Sequence, residues 1–428
     1  MNHIYMDKIS LCSISPIDGR YKSYTYGLAD LFSEYAFIRQ RIIIEIKYFI
    51  FILKLDTKEF PYNENLDTFL SLLSKNITDE HIFKIKEIEE KIHHDVKSIE
   101  YFLTEQLHNA GFEKYINLLH FGITSQDTNT IAYSISLLNF NENIFFPLYD
   151  QLLNNIQLKI VEWKEIVILG RTHGQAATWT LLGKEFNVFR SKLVTEYDTL
   201  LKYKFTTKIG GTVGNMTSHK ILVEKDWEAL LTTFAHQLRL KRTKNTTQIH
   251  NYNEYGYYFD ILKRACSILI DMCRDIWLYC SLGELILKKP KEYVGSSIMP
   301  HKVNPIEFEN AEGNLKIAEM WLEFLSRELL KSRLQRDLTD STILRNLGTV
   351  FGHILISFKN INRGFTFLKP NIAKIETHLL ENISSMSEVD QHLLRIKNKT
   401  AGYDTIKEEN NVPQTKDKVE YYKQFILQ

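Results

Sequence analysis

The chain has 428 residues, 44% of them hydrophobic and 25% charged, an ordinary globular balance in a chain long enough for two or three domains. Lysine plus arginine number 53 and aspartate plus glutamate 52, a net charge of +1 that argues against the basic footprint of a nucleic-acid-binding protein. Four cysteines are too few for a disulfide framework, and Cys266, Cys273 and Cys280 recur at a spacing that separates neighbours on one helix by about 10.5 Å, too far for one zinc ion with bonds of ~2.3 Å.

Along the chain, residues 1–12 carry Asp7 and Lys8 and no apolar run, so no secretory signal is expected there. The most membrane-like stretch, 42–55, is interrupted by Glu45, Lys47 and Lys54 and falls short of the ~20 apolar residues of a span. The expected location is the reducing cytoplasm, without a membrane partner. Ile85, Ile88, Ile92, Val96, Ile99 and Leu103 form one helical stripe, and His94 falls on the opposite face, away from that packing surface. Gly111 marks a break. No proline occurs between Pro147 and Pro290, which permits unusually long helices because proline disrupts helix interiors. Within that stretch, residues 148–168 and 257–287 place apolar side chains three and four apart. The three later cysteines then read as small core residues on one helical stripe. Strand-like alternation bounded by turn pairs is scarce. The predicted fold is mostly α, with helical domains at 1–110, 111–364 and 365–428, the middle one a bundle of long helices. The polar stretch 397–418 is expected to be partly disordered.

Chemistry concentrates in a few strings. Gly295-Ser296-Ser297-Ile298-Met299-Pro300-His301-Lys302-Val303-Asn304-Pro305 cannot be one helix. It reads as a mobile loop emptying into a helix N-terminus, with Asn304 as cap and Pro305 as first helical residue. Such an end favours anions, and Lys302 adds to that. Gly170-Arg171-Thr172-His173-Gly174-Gln175 and Thr124-Ser125-Gln126-Asp127 are two further motifs. Gly210-Gly211-Thr212-Val213-Gly214-Asn215 lacks the spacing of a dinucleotide fingerprint, and Gly183-Lys184 continues into Glu185, not a Walker motif. Structural or substrate-loop roles are expected for both.

The loop string closely resembles the signature loop of the fumarase/aspartase superfamily, and the other two motifs resemble that superfamily's first and second regions, in the same order. Further strings resemble the adenylosuccinate lyase family in particular. They are Ser15-Pro16-Ile17-Asp18-Gly19-Arg20-Tyr21, His94-Asp95 ahead of Glu100-Tyr101-Phe102-Leu103, Thr246-Thr247-Gln248-Ile249, and Gln335-Arg336-Asp337-Leu338-Thr339-Asp340-Ser341-Thr342-Ile343-Leu344-Arg345-Asn346. The resemblance covers roughly residues 11–365. It implies a fumarase/aspartase-like helical fold and a homotetramer with active sites shared between chains. The implied activity is elimination of fumarate from two succinylated nucleotides, small-molecule substrates of purine synthesis, with no metal and no cofactor.

Such an elimination needs a base for a Cβ proton beside a carboxylate and an acid for the leaving nitrogen. The resemblance assigns the base to Ser296 and the acid to His173. Histidine as a residue type titrates near neutrality and suits an acid. Serine is a weak base unless its alkoxide is stabilised, for which the helix N-terminus and Lys302 are candidates. The substrate would carry a phosphate and two carboxylates, and arginine forks suit both groups. Arg20, Lys302, Arg336 and Arg345 stand in matched motifs. Tyr21, His93, His94, Asp95, Thr124, Ser125, Gln248, Ser297, Asn310, Ser341, Thr342, Ile343 and Leu344 complete the expected binding set. His94 is expected near the phosphate or the leaving nitrogen. The chain departs from the family at His93, where asparagine is usual, at Ala176 and Trp179, which replace frequent prolines, and in a short C-terminal region.

Another lyase of the superfamily, or a catalytically silent structural protein like the lens crystallins related to it, would share much of this pattern. Retention of both His173 and Ser296 argues against a silent protein. No H-E-x-x-H or C-x-x-C spacing occurs. Full activity is therefore expected after exhaustive chelation, and a loss restored by one added metal would overturn the metal-free reading.

Overall fold

The computed structural model describes residues 8–290, 298–299, 301–397, 403 and 416–427. Helices dominate, and among the described residues strands occur only as three two-stranded ribbons. Among the described residues four helices exceed twenty residues: Leu182–Lys202, Asn253–Ser281, Ile306–Glu328 and Leu347–Phe367. Asn253–Ser281 alone has 29 residues, a rod of about 43 Å at 1.5 Å per residue. The first two lie in the proline-free stretch, as the sequence implies. The chain forms two compact units, residues 1–147, 200–263 and 317–355 in one and 148–199, 264–316 and 356–428 in the other.

The first unit packs the apolar faces of Glu34–Leu53, Glu64–Lys75, Asp79–Ile92 and Asp95–Asn109 into one core, in which Ile42, Phe49, Leu66, Ile85, Ile99 and Phe102 are fully buried. Each helix begins on a side chain that takes up an orphan N–H. Ser33 Oγ accepts from Ala36 and Asn63 Oδ1 from Leu66. The stripe from Ile85 to Leu103 does not lie on one helix. His93 adopts the left-handed conformation (φ 54°), and His94 then caps a new helix, its Nδ1 accepting from Lys97 N–H at 3.1 Å. The break lets Asp95–Asn109 pack back against Asp79–Ile92, with Lys84 and Glu105 paired across them. A straight helix would have carried Ile99 and Leu103 away from the core they fill. Gly111 (φ 76°) ends the second helix as expected, with Phe112 N–H bonded to Leu107 O and Gly111 N–H to His108 O, the two bonds of a Schellman cap.

In the second unit two expected helices end early. Residues 148–168 divide into the helix Phe146–Glu162 and strand β1, Val167–Thr172, which pairs antiparallel with β2, Gln175–Leu181. Residues 257–287 divide into the helix ending at Ser281 and a short strand, Leu285–Leu287, paired with Leu368–Pro370. Short apolar runs fit either period, so spacing alone does not separate helix from strand there. Gly283 (φ 75°) makes the second boundary with another Schellman cap, Glu284 N–H to Tyr279 O and Gly283 N–H to Cys280 O. Cys266 and Cys273 are buried on this helix and Cys280 is partly so, in keeping with small core residues. Burial pushes the Cys280 thiol up to about 11 and Cys273 further. The helix after the signature loop starts at Ile306, with Pro305 O accepting from Phe308 and Glu309, one residue later than the sequence suggested. Residues 397–418 fall mostly outside the described residues. Among the described residues, no helix is long and apolar enough to cross a membrane.

The first unit also buries His219 completely. Tyr48 donates to Phe121 O at 2.8 Å, so its oxygen accepts from His219 Nε2 at 2.7 Å, and Nδ1 is left without a partner. A second proton would sit on that unpartnered nitrogen, and burial lowers the imidazole from 6.5 to about 4. The unfolded chain therefore binds the proton first as pH falls, and this contribution to stability disappears progressively between pH 6.5 and pH 4. At about 1.4 kcal/mol per unit the loss approaches ~3 kcal/mol. Urea unfolding at pH 7 and pH 4.5 should show it, and His219→Gln should flatten the difference; an unchanged difference would sink the assignment.

Candidate active site

In the first unit, the Thr124–Asp127 motif is organised by one carboxylate. Asp127 is fully buried and its Oδ1 lies 2.8 Å from Lys208 Nζ, itself fully buried. Oδ1 also accepts from Gly210 N–H at 2.8 Å, and Oδ2 from Gly211 N–H at 3.2 Å and from Thr124 N–H at 2.7 Å. The Thr124 hydroxyl reaches Oδ2 at 3.1 Å, so the same carboxylate caps the helix Ser125–Phe140. Burial lowers the Lys208 pKa, and the Asp127 charge opposes that without cancelling it. The glycine string therefore holds a structural position, as one of the two expected roles. Gly214 (φ 84°) passes so close to Thr246 O that a Cβ would lie 2.0 Å from it, which no side chain permits.

That loop holds Gln248, which in turn holds Arg336, two of the expected binding residues. Gln248 Nε2 donates to Thr212 O at 2.8 Å, Gln248 N–H donates to Gln335 O at 3.2 Å, and Arg336 Nη1 donates to Gln248 Oε1 at 3.1 Å.

A ring of polar contacts joins the Thr124–Asp127 motif to two others. Asp95 accepts from Arg41 Nη2 at 2.6 Å and from Arg345 Nη2 at 3.1 Å. Burial alone would raise the Asp95 pKa, but the Arg41 and Arg345 charges outweigh it and hold the carboxyl below the usual range. Arg41 is 1% exposed, lies 3.9 Å from the Phe37 ring and donates through Nε to Asn129 Oδ1 at 2.8 Å. On the same helix as Asn129, Gln126 donates to Asp340 Oδ2 at 2.7 Å, where Tyr252 OH also donates at 2.8 Å. Asp340 and Ser341 sit on the short helix Thr339–Leu344, which leads to Arg345 and back to Asp95. Ser125 and Ser341 are half-buried beside this ring, Thr342 is exposed, and Arg345 also reaches Glu34 at 3.2 Å. Ile343 and Leu344 turn into the core, so their side chains pack instead of facing solvent. His94 is exposed at its helix start, and His93 occupies a left-handed position that asparagine and histidine adopt more readily than most residues. Arg20 is exposed outside the ring, its guanidinium 6.0 Å from the Tyr21 ring.

The second unit holds the proposed acid. His173 (φ 53°) and Gly174 (φ 75°) are the two turn residues of the β1–β2 hairpin, between Thr172 and Gln175. Positive φ at both positions marks the tight turn that suits the twist of a hairpin. The imidazole is thus presented at an exposed tip. Trp179, one of the departures from the family, donates from Nε1 to Ser385 Oγ at 3.1 Å and fixes β2 to the 3₁₀ turn Ile383–Met386. Lys302 is exposed, with its N–H bonded to Met299 O. Asn310 Oδ1 accepts from Asn360 Nδ2 at 3.0 Å. Ser296 and Ser297 lie outside the described residues.

Sequence reasoning passed over Arg41, Lys208 and Tyr252. Arg41 had a readable signal, since it interrupts an apolar helical run; Lys208 had none, because its partner is distant in sequence.

A family profile described as Lyase matches residues 19–318. Solved structures share the fold: fumarate lyase from Mesorhizobium sp. BNC1 superposes with a TM-score of 0.71 at 15% identity, over 89% of this chain and 84% of that one. The 3-carboxy-cis,cis-muconate lactonizing enzyme of Pseudomonas putida gives 0.75 at 15% identity, over 91% and 86%. The fold and the profile define a mostly helical lyase of the fumarase/aspartase type. A second profile, Adenylosuccinate lyase C-terminal, matches residues 332–427. Adenylosuccinate lyases of Dictyostelium discoideum, Legionella pneumophila (strain Corby) and Escherichia coli (strain K12) are 41%, 37% and 34% identical to the chain. These alignments span 95%, 94% and 94% of this chain and 90%, 89% and 89% of the relatives. The chain belongs to the adenylosuccinate lyase family.

Removing the Asp127 carboxylate would strand Lys208 in a buried site and orphan the N–H groups of Thr124, Gly210 and Gly211. Asp127→Ala should cost about 3–5 kcal/mol in urea unfolding. Adding Lys208→Met should recover part of that, because the stranded charge is gone. A single-variant loss below about 1 kcal/mol would show that the pair does not hold this region together.

Proposed function

We propose that the protein eliminates fumarate from adenylosuccinate, leaving AMP, and from the succinylated aminoimidazole carboxamide ribonucleotide of purine synthesis. The pose of His173 carries this reading at the chemical level. An imidazole on a rigid two-residue turn can meet a leaving nitrogen without rearranging its own backbone. In the reaction, a base removes the Cβ proton beside a carboxylate and its electron pair forms the Cα–Cβ double bond. The C–N bond breaks, and the nitrogen takes a proton from the acid. We assign the acid to His173 and the base to Ser296, with Ser297 and Lys302 of the same sequence string in supporting roles.

Arg20, Arg336, Arg345 and Lys302 are the proposed cations for the phosphate and the two carboxylates. Tyr21, His93, His94, Asp95, Thr124, Ser125, Gln248, Asn310, Ser341 and Thr342 supply the hydrogen bonds, and Ile343 and Leu344 contribute through their backbone. Asp95 holds Arg345 through Nη2 and Glu34 holds it through Nη1, and the 44% exposed guanidinium stays within reach of an incoming anion. The proposed working form is a cytoplasmic homotetramer whose sites combine residues of different chains, using neither metal nor cofactor. The exposure of His173 on a single chain supports that arrangement, since a proton donor for so polar a leaving group works best when later enclosed.

Purified protein incubated with adenylosuccinate should release fumarate and AMP. His173→Ala and Ser296→Ala should each lower turnover by at least ~100-fold with folding retained. Reassembly of an equal mixture of the two variants should restore activity to about a quarter of the sites if the two groups meet across chains in a symmetric oligomer. Near-native turnover in either variant would remove its assigned role.

A further inference from the structure

The hairpin that carries His173 is held from below by a buried carboxylate. We propose that Glu284 is a positioning residue for His173, acting through Arg171 and steadied by His378. The inference rests on His173 serving as the acid, and assigns the part of the second unit that fixes its pose.

Arg171 lies two residues before His173 on β1. Its guanidinium grips Glu284 with both forks, Nη2 to Oε1 at 2.7 Å and Nη1 to Oε2 at 3.2 Å. Nη1 also donates to Leu169 O at 3.2 Å, so the side chain folds back along its own strand. Two parallel bonds fix the guanidinium plane as well as its distance, which one bond does not do. Glu284 is 1% exposed, and its Oε1 lies 2.6 Å from His378 Nδ1 on the helix Ile372–Glu381.

The carboxylate sits on a frame with little freedom. Its residue closes the Schellman cap of a 29-residue helix. Its carbonyl accepts from Asn371 N–H at 2.8 Å, while Asn371 Nδ2 donates to Gly283 O at 2.9 Å. The strand register shifts between Ile168 and Gly170, and at Gly170 a Cβ would lie 2.2 Å from Thr178 O. This bulge re-aims the strand just before Arg171. The only charge-paired clamp on β1 among the described residues is thus placed beside the turn.

A general acid is sensitive to placement, because a misplacement near 1 Å can lower turnover ~100-fold. Loosening the clamp should therefore lower kcat with little effect on KM. Glu284→Gln keeps the shape and removes the charge. Its kcat should fall about 10-fold or more, with KM within about twofold, in a protein that still folds and assembles. The same substitution should cost nothing further in a His173→Ala background, because its effect passes through His173. Arg171→Lys, which keeps the charge but loses the fork, should reproduce both results and serves as the reading if Glu284→Gln fails to fold. Unchanged kcat in the folded variant, or an equal loss with and without His173, would overturn the proposal. If His173→Ala itself retains native turnover, the acid assignment fails first, and that result is distinguishable from failure of the clamp.

Discussion

The first unit depends most on a single desolvated charge pair, Asp127 with Lys208. A carboxylate taken fully out of water costs several kcal/mol unless its lone pairs are filled. Here they are filled by one ammonium, three backbone N–H groups and a hydroxyl. All of those partners except Lys208 belong to strings that the sequence singles out. Thr124 opens the first motif, and Gly210 and Gly211 open the loop whose Thr212 carbonyl holds Gln248. Satisfying the buried charge and fixing the proposed site are therefore the same geometric act.

The polar ring from Asp95 through Arg41, Asn129, Gln126 and Asp340 to Arg345 works on a different principle. Its members come from helices far apart in sequence, and each bond restrains the next. Arg41 is buried, stacked on Phe37 and bonded to Asn129, so its orientation toward Asp95 is restrained by contacts other than Asp95 itself. Arg345, by contrast, is half-exposed and paired with Asp95 and Glu34 near solvent. Such pairs contribute little to stability, since water screens them and long side chains lose entropy in forming them. An arginine held loosely by carboxylates yet open to solvent is ready to take an anion. The inner arginine gives rigidity, and the outer one is the proposed element of recognition.

The His173 hairpin shows the same division of labour in the second unit. Its tip is exposed and its base is clamped by Arg171 and Glu284, with Trp179 fixing the other strand. A histidine in the left-handed region is strained for most neighbours, but the two-residue turn demands that conformation, so the backbone strain and the presentation of the imidazole are linked.

The sequence by itself determined the fold class and the family, and it supplied the residues of the proposed site. Long proline-free stretches with helical spacing allow little else, and the motifs around Thr124, His173, Ser296 and Gln335 are local strings, legible wherever the chain folds them. Gly111 was readable as a break because glycine is the residue that reaches the left-handed cap without strain. Tertiary structure alone decided what local spacing leaves ambiguous. The apolar run at 167–172 pairs as a strand because Gln175–Leu181 lies beside it, and a period of three or four cannot register a partner. The helix through His93 breaks because its second half gains burial by folding back on the first. Arg41, Lys208 and Glu284 acquire roles only from residues 54, 81 and 113 positions away, Asp95, Asp127 and Arg171. Charge pairing acts through space, and the sequence records only each partner's identity.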